Sequence, residues 1–194
     1  MAVRYSTEEH AQADLVHRLQ SDFITFEEVE VVPASFPDRV LRPDVIAIPR
    51  NEEYSDFLIA IEVKVGNPKG TGDYARYLKQ GADYVLGKII GTKPPDKRLK
   101  AFVGRPIQAA FLFPSYDDSY FGGNKEKQLR AYGMHQLAAR FKVGRIILSD
   151  HGLSLVMGAG ANQVWVEGRG WTPHAYGLIK GKRQIGSQRL KFET

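Results

Sequence analysis

Two short segments of the chain combine carboxylates with a lysine. Asp44 follows a proline within residues 42–46, and Glu62 and Lys64 end the apolar segment 57–65. Because side chains alternate along a strand, Glu62 and Lys64 share one face of the predicted strand. Pairing of the two segments as a hairpin would bring Asp44 near that same end. Charged side chains at the end of an apolar strand are costly to bury unless they are paired or bound to a ligand.

Two carboxylates and a lysine that converge in this way suit a hard divalent cation such as Mg²⁺ or Mn²⁺. The cation polarises a phosphate and makes a bound water more acidic, and a nearby lysine orients the water and offsets charge on the phosphate oxygens. We therefore predict that Asp44 and Glu62 are metal ligands and that Lys64 is catalytic. The structural alternative is an ion pair between Glu62 and Lys64 at the strand end, with Asp44 as a turn residue.

The charge of the chain is unevenly distributed. Residues 1–62 contain 5 Lys/Arg and 13 Asp/Glu, whereas residues 63–194 contain 22 Lys/Arg and 9 Asp/Glu. A polyanion such as nucleic acid would be attracted to the second part, while the first part concentrates the carboxylates. The alternative is that the basic excess is solvated charge without a partner.

The composition excludes several classes of protein. The chain has 194 residues and no cysteine, which excludes disulfides, zinc fingers, cysteine-ligated iron–sulfur clusters and thiol nucleophiles. No apolar run approaches the ~18 residues that a membrane helix needs, and the first residues lack the apolar core of a signal peptide. We therefore expect an intracellular, cytoplasmic protein with no membrane partner.

Hydrophobic periodicity and turn residues predict the order of the helices and strands. The expected elements are a helix over 6–21, strands over 26–32, 40–48 and 57–65, a helix over 73–90, an exposed connection over 92–106, a strand over 107–113, a helix over 125–141, a strand over 145–149, and a hairpin with strands at 153–157 and 164–167. Ser6 and Glu9 match a capping box at the start of the first helix. The order indicates an α/β domain with a mixed sheet flanked by helices.

Pro43-Asp44, seventeen residues and then Glu62-Val63-Lys64, placed on consecutive strands, resemble the motif of the PD-(D/E)xK nuclease superfamily. The resemblance implies a restriction-endonuclease-like fold with an α-β-β-β-α-β core, here within residues 1–150. It also implies an Mg²⁺- or Mn²⁺-dependent deoxyribonuclease that leaves 5′-phosphate products, in a prokaryotic or phage host. Residues 151–194 would be a basic hairpin and tail packed on the same domain.

The helix predicted after Lys64 contains a Q-x-x-x-Y pattern. Gln80 and Tyr84 resemble the additional motif of RecB-type and type I restriction nuclease domains, which implies that both are catalytic-site residues. They are i,i+4 neighbours on one helix face. However, this face lies opposite the apolar stripe of residues 75, 78, 82 and 85, so a solvated Gln and a surface Tyr are the alternative.

The first helix supplies an acid to the metal in many members of this superfamily. Glu8 is the candidate in this chain, since it shares a helix face with Gln12 and with Leu15. As an acid in the first turn, Glu8 also suits the helix dipole without any metal.

DNA is the partner that the resemblance implies, with a homodimer or a separate helicase-type chain as further partners. Contacts with phosphates are expected from basic residues in loops, on the second helix and in the tail, namely Lys69, Arg76, Lys180, Lys182 and Arg183. Two alternative functions remain at this point. One is a structure-specific endonuclease similar to Holliday-junction resolvases, and the other is a non-catalytic DNA-binding module that retains the nuclease fold.

Overall fold

The computed structural model describes residues 5–65, 71–113, 125–149, 151–158 and 162–175, with the backbone alone for 71–74, 125–131 and 174. The helices are α1 (Glu8–Leu19), α2 (Thr71–Tyr84), α3 (Lys125–Arg140) and the short α4 (Pro173–Ala175), and 3₁₀ turns lie at Glu52–Tyr54 and Lys97–Phe102. The strands are β1 (Phe23–Phe26), β2 (Val29–Val32), β3 (Val45–Pro49), β4 (Ile59–Val63), β5 (Lys88–Thr92), β6 (Ala109–Phe113), β7 (Val143–Ser149), β8 (Gly152–Val156), β9 (Gln163–Val166) and β10 (Gly170–Trp171).

Eight strands form one curled, mixed sheet that resembles half of a barrel, in the order β1-β3-β4-β6-β7-β8-β9-β10. The pairs β1–β3 and β3–β4 are antiparallel, and the pairs β4–β6 and β6–β7 are parallel. Parallel neighbours need a crossover connection, and α2 and α3 lie within these two connections. The strands from β7 to β10 continue the sheet in antiparallel pairs, while β2 and β5 form a separate two-stranded sheet.

Helices cover both faces of the large sheet. On the sheet face that α1 covers, the core contains alternate β4 residues and the buried side chains of the helix: Ala11, Leu15, Leu19, Ile59, Ile61 and Val63. The opposite face is packed with the other β4 residues and with side chains from α2 and α3: Leu58, Ala60, Leu78, Tyr84 and Ala138. Because side chains alternate along a strand, Glu62 belongs to the face of α2.

The strand predicted over 26–32 is wrong as a single element. Glu28 has a φ of +53° and separates β1 from β2. β1 pairs with β3 in the large sheet, whereas β2 pairs with β5 in the small one. A left-handed backbone at a non-glycine residue is uncommon, and the residue type at position 28 gave no sign of the break.

The helix predicted over 73–90 is wrong at its end. It stops at Tyr84, Leu86 takes a left-handed φ of +67°, and residues 88–92 form β5. The capping box is also wrong by one residue, because Thr7 is the N-cap and its hydroxyl accepts from the His10 amide. The predicted exposed connection over 92–106 contains a 3₁₀ turn that buries Leu99.

Other sequence predictions are confirmed. The protein is a mixed α/β structure, α3 spans nearly the predicted range, and β8 and β9 form the predicted hairpin. The remaining strands appear in the predicted order, with β3 beginning at Val45 rather than at residue 40. Within the described residues, no helix is both long and apolar enough to cross a membrane.

Candidate active site

Asp44 lies at the junction of β3 and β4. It directly precedes β3, and the antiparallel register pairs Val45 with Ile61. The Val63 amide donates a 2.6 Å hydrogen bond to Asp44 Oδ2. The start of β3 and the end of β4 therefore lie side by side, and the charge of Glu62 acts on Asp44.

Glu62 is the centre of the site, and its side chain is only 2% exposed. Gln80 Nε2 donates to Oε1 over 2.6 Å, and Lys64 Nζ lies 2.6 Å from the same oxygen. Tyr84 Oη donates to Oε2, also over 2.6 Å. Three donors from two elements thus satisfy one buried carboxylate, which an apolar environment would otherwise destabilise strongly.

The close approach of α2 to the sheet places Gln80 and Tyr84 at Glu62. A Cβ atom at Gly81 would lie 2.9 Å from Val143 Cγ1 and 3.6 Å from Ala110 Cβ, so the absence of a side chain lets this turn of the helix sit against β6 and β7. Tyr84 is 1% exposed on the same side. The alternative of a surface position for Tyr84 is therefore wrong.

The apolar stripe of α2 packs on the sheet core and also faces α3. Leu78 and Ala82 line a groove between the two helices together with Met134, Leu137 and Phe141. This packing resolves the conflict between the apolar stripe and the Q-x-x-x-Y pattern, because one side of α2 packs toward α3 while another side reaches Glu62.

Lys64 joins the strand end to the first helix. Its ammonium lies 3.8 Å from Glu8 Oε2 and donates to the Val63 carbonyl over 3.0 Å. Burial alone would lower the pKa of Lys64, but the hydrogen bond and charge of Glu62 outweigh it and raise the pKa. Lys64 is therefore a cation held against the carboxylates.

Glu8 and Gln12 form the α1 side of the site. Glu8 is about half exposed, and its only ion pair among the described residues is with Lys64. One turn later, Gln12 Nε2 lies 3.4 Å from the Asp44 carbonyl and 2.5 Å from Glu27 Oε2. The structure thus places Glu8 beside Lys64, and its role as a metal ligand stays a prediction.

Asp44 carries negative charge at an unfavourable place. Burial, followed by the charge of Glu62, raises the pKa of Asp44 to about 6, although the Val63 amide and Lys64 act in the opposite direction. Excess negative charge between two carboxylates is the condition that a bound cation relieves.

Asp44 and Glu62 are the two carboxylates that would hold Mg²⁺ at this site. Among the residues that the structure describes, no group of three or more His, Cys, Asp or Glu side chains is arranged to hold a metal ion. Mg²⁺ is commonly held by one or two carboxylates, with waters and substrate phosphates as its other ligands. Asp44 and Glu62 match that pattern.

The predicted phosphate-binding residues are placed only in part. Arg76 is exposed on α2, one helical turn before Gln80, and its guanidinium lies 5.4 Å from the centre of the Tyr77 ring. The other four predicted contacts lie outside the described residues: Lys69, Lys180, Lys182 and Arg183. Their role in binding nucleic acid stays a prediction.

Two structural contributors to the site received no role from the sequence. Gly81 lies inside a helix, where glycine is unfavourable, and this was the available signal for a close helix–sheet contact. Gln12 follows Glu8 by four residues and therefore lies on the same helix face, but nothing in its residue type indicated contact with the Asp44 backbone.

Comparison with known proteins gives no relative for this chain. No protein-family model, no curated protein and no solved structure matches it. The functional conclusion therefore depends on the geometry around Glu62.

Proposed function

We propose that this protein is a metal-dependent DNA nuclease that hydrolyses phosphodiester bonds. The observation that carries the proposal is the convergence of Lys64, Gln80 and Tyr84 on the buried Glu62 carboxylate, beside Asp44. Gln80 and Tyr84 come from a separate helix and, besides satisfying the buried carboxylate, hold both of its oxygens in place. Their presence favours a site in which the orientation of Glu62 matters.

The topology supports a restriction-endonuclease-like fold. The elements α1, β1, β3, β4, α2 and β6 follow the α-β-β-β-α-β order, with three antiparallel strands and then a parallel one. The small β2–β5 sheet is an addition to this order. Asp44 directly precedes the second strand of the core and Glu62 lies on the third, where the motif of the PD-(D/E)xK superfamily carries its acids.

Each side chain has a task that its position permits. Asp44 and Glu62 would hold Mg²⁺, and when bound this ion supplies polarisation of the phosphate and acidification of water. Lys64 would donate to a phosphate oxygen and neutralise the charge that develops there. Gln80 and Tyr84 are positioning residues that hold the two oxygens of Glu62 in a fixed orientation.

A cleavage assay with isosteric variants tests this proposal. Linear, supercoiled and branched DNA are incubated with the full chain and Mg²⁺, with EDTA in a parallel series. Asp44→Asn, Glu62→Gln and Lys64→Met should each abolish the Mg²⁺-dependent products. Asp56→Asn is the matched control, because Asp56 is 86% exposed and pairs with Arg105 away from the site.

The products discriminate between the alternatives. Cleavage by wild type and by Asp56→Asn, but not by the three site variants, would support the proposal. DNA binding without cleavage under any divalent cation would favour a non-catalytic module. Cleavage that persists in Asp44→Asn and in Glu62→Gln would contradict the proposed site.

A further inference from the structure

A loop over residues 33–40 presents an aromatic ring to solvent. Two backbone hydrogen bonds between Val31 and Leu41, of 2.8 and 2.9 Å, close the base of the loop. Inside it, the Phe36 amide donates one backbone bond of 3.3 Å, and the Phe36 carbonyl accepts another from Arg39 over 3.0 Å. The Phe36 side chain is nevertheless 46% exposed. The loop therefore holds an apolar ring at the surface in a defined place.

Two cations flank this ring. The Arg39 guanidinium lies 5.3 Å from the ring centre and the Lys79 ammonium lies 6.0 Å from it, within the range of a cation–π contact. The other cation–ring contacts of the described residues involve Phe26, Tyr77 and Phe102, whose side chains are buried or partly buried. Phe36 thus combines a half-exposed ring with two cations that lie over it.

Two segments of the chain run from the ring to the candidate active site. Lys79 directly precedes Gln80, whose amide contacts Glu62. Downstream of the loop, the Arg42 carbonyl oxygen lies 3.5 Å from Tyr84 Oη, and the Arg42 side chain is 51% exposed. The loop that carries the ring and the helix that carries Lys79 therefore both lead to residues of the candidate active site.

We propose that Phe36 is a stacking platform for an unpaired base of single-stranded DNA, with Arg39 and Lys79 contacting the neighbouring phosphates. The inference rests on the proposed nuclease function and narrows its substrate class. Aromatic rings beside basic side chains bind single strands because every base has a π-face, whereas bases in a duplex have both faces covered by their neighbours. The substrate then contains unpaired nucleotides next to the point of cleavage.

Binding of a fluorescent oligothymidylate, measured by anisotropy in EDTA, tests the platform without cleavage. Phe36→Ala and Phe36→Leu should weaken single-strand binding by about tenfold to a hundredfold, whereas Phe36→Trp should retain it. Phe141→Ala is the matched control, since it removes a phenyl ring that is 49% exposed on the side of α3. It should bind as wild type does.

Two further measurements separate stacking from charge. Phe36→Ala should leave duplex binding unchanged, and Arg39→Gln should reduce the log–log salt slope for the single strand by about 0.7. Thermal unfolding establishes that each variant is folded, and Phe36→Leu tests the platform if Phe36→Ala does not fold.

The outcomes distinguish this inference from the proposed function. Loss of single-strand binding in Phe36→Ala and Phe36→Leu supports the platform even if no cleavage is found, in which case only the nuclease proposal fails. Wild-type affinity in these variants overturns the platform, even if Mg²⁺-dependent cleavage through Asp44 is established. An equal loss for single strand and duplex also overturns it, because stacking on an unpaired base cannot explain weaker duplex binding.

Discussion

Tyr84 Oη donates a 2.6 Å hydrogen bond to Glu62 Oε2 and so joins the end of α2 to the end of β4. The two side chains are only 1% and 2% exposed. Burial and the charge of Glu62 keep the pKa of Tyr84 above its ordinary value, so the phenol retains the proton that it donates. Gln80 Nε2 also donates to Tyr84 Oη over 3.1 Å. The orientation of Glu62 is thus fixed by groups outside the strand that carries it.

Tyr84→Phe removes one donor to Glu62 and leaves the ring in place. We expect the unfolding free energy to fall by roughly 1–3 kcal/mol, because a buried charged acceptor loses a hydrogen bond. Cleavage at limiting Mg²⁺ should fall by about 10- to 100-fold, as is typical when a residue that orients a metal ligand is removed. Tyr77→Phe, on the same helix, is the control. Normal Mg²⁺ dependence in Tyr84→Phe would show that the phenol has no positioning role.

Replacements of Gln80 test whether its amide acts as a donor. Gln80→Met keeps most of the side-chain volume but cannot donate, and it should lower the cleavage rate by one to three orders of magnitude. It should also lower the unfolding free energy by roughly 1–3 kcal/mol, because Glu62 again loses a donor. Gln80→Glu should be less stable than Gln80→Met at pH 7, because it places a second carboxylate against Glu62. Single-turnover cleavage and urea unfolding measure the two effects. If Gln80→Met cleaves as wild type does, the RecB-type assignment is wrong.

The sequence predicted the positions of the site residues that lie on or beside neighbouring strands. Alternation along β4 placed Glu62 and Lys64 on one face, and the short connection to β3 placed Asp44 beside them. Both relationships are local and depend only on the period of a strand. The pattern also identified Gln80 and Tyr84, but a helical wheel alone assigned their face to solvent.

The remaining features depend on contacts that are distant in the chain. The apolar stripe of α2 packs both on the sheet and toward α3. Only the packing of both helices shows which side of α2 meets Glu62. The break at Glu28 arises because β1 and β2 pair with different strands, which no local pattern records. The end of α2 was easier to predict from the sequence, since Gly87 closely follows Tyr84 and glycine is common just beyond helix ends.

His135 should lower the stability of the protein in mild acid. Burial, and then the charge of Arg145, lower the pKa of His135 to about 3, whereas the unfolded chain takes up this proton near pH 6.5. Protonation therefore favours the unfolded state increasingly as the pH falls from 6.5 toward 3. Between pH 7 and pH 5, the unfolding free energy of wild type should fall by up to about 2 kcal/mol more than that of His135→Gln. Urea unfolding at both pH values measures this difference, and His17→Gln, at an exposed histidine, should not reproduce it.

The basic tail predicted to bind phosphates can be tested through ionic strength. Neutralising Lys180, Lys182 and Arg183 together should flatten the salt dependence of duplex affinity, by roughly 0.9 in the log–log slope for each phosphate that is no longer bound. Asp56→Asn, which alters charge elsewhere, should leave the slope unchanged. An unchanged slope in the triple variant would mean that these three residues are solvated and bind no phosphate.

Asp44 should be a site where activity and stability oppose each other. Its pKa of about 6 in the folded protein exceeds the value of about 3.9 in an unfolded chain, so the folded state binds the proton more tightly. The stability that this proton contributes is present below about pH 4 and is lost as the pH rises through 6. Asp44→Asn keeps an acceptor for the Val63 amide and should raise the unfolding free energy at pH 7 by roughly 1–3 kcal/mol in EDTA.

Mg²⁺ should then stabilise wild type, by about 2.7 kcal/mol at a hundredfold excess over its Kd, and leave Asp44→Asn unchanged. Urea unfolding at pH 4 and pH 7, with and without Mg²⁺, measures both effects against Asp56→Asn. A variant that is less stable than wild type at pH 7 in EDTA, or that Mg²⁺ stabilises equally, would contradict the placement of Asp44 in a cation site.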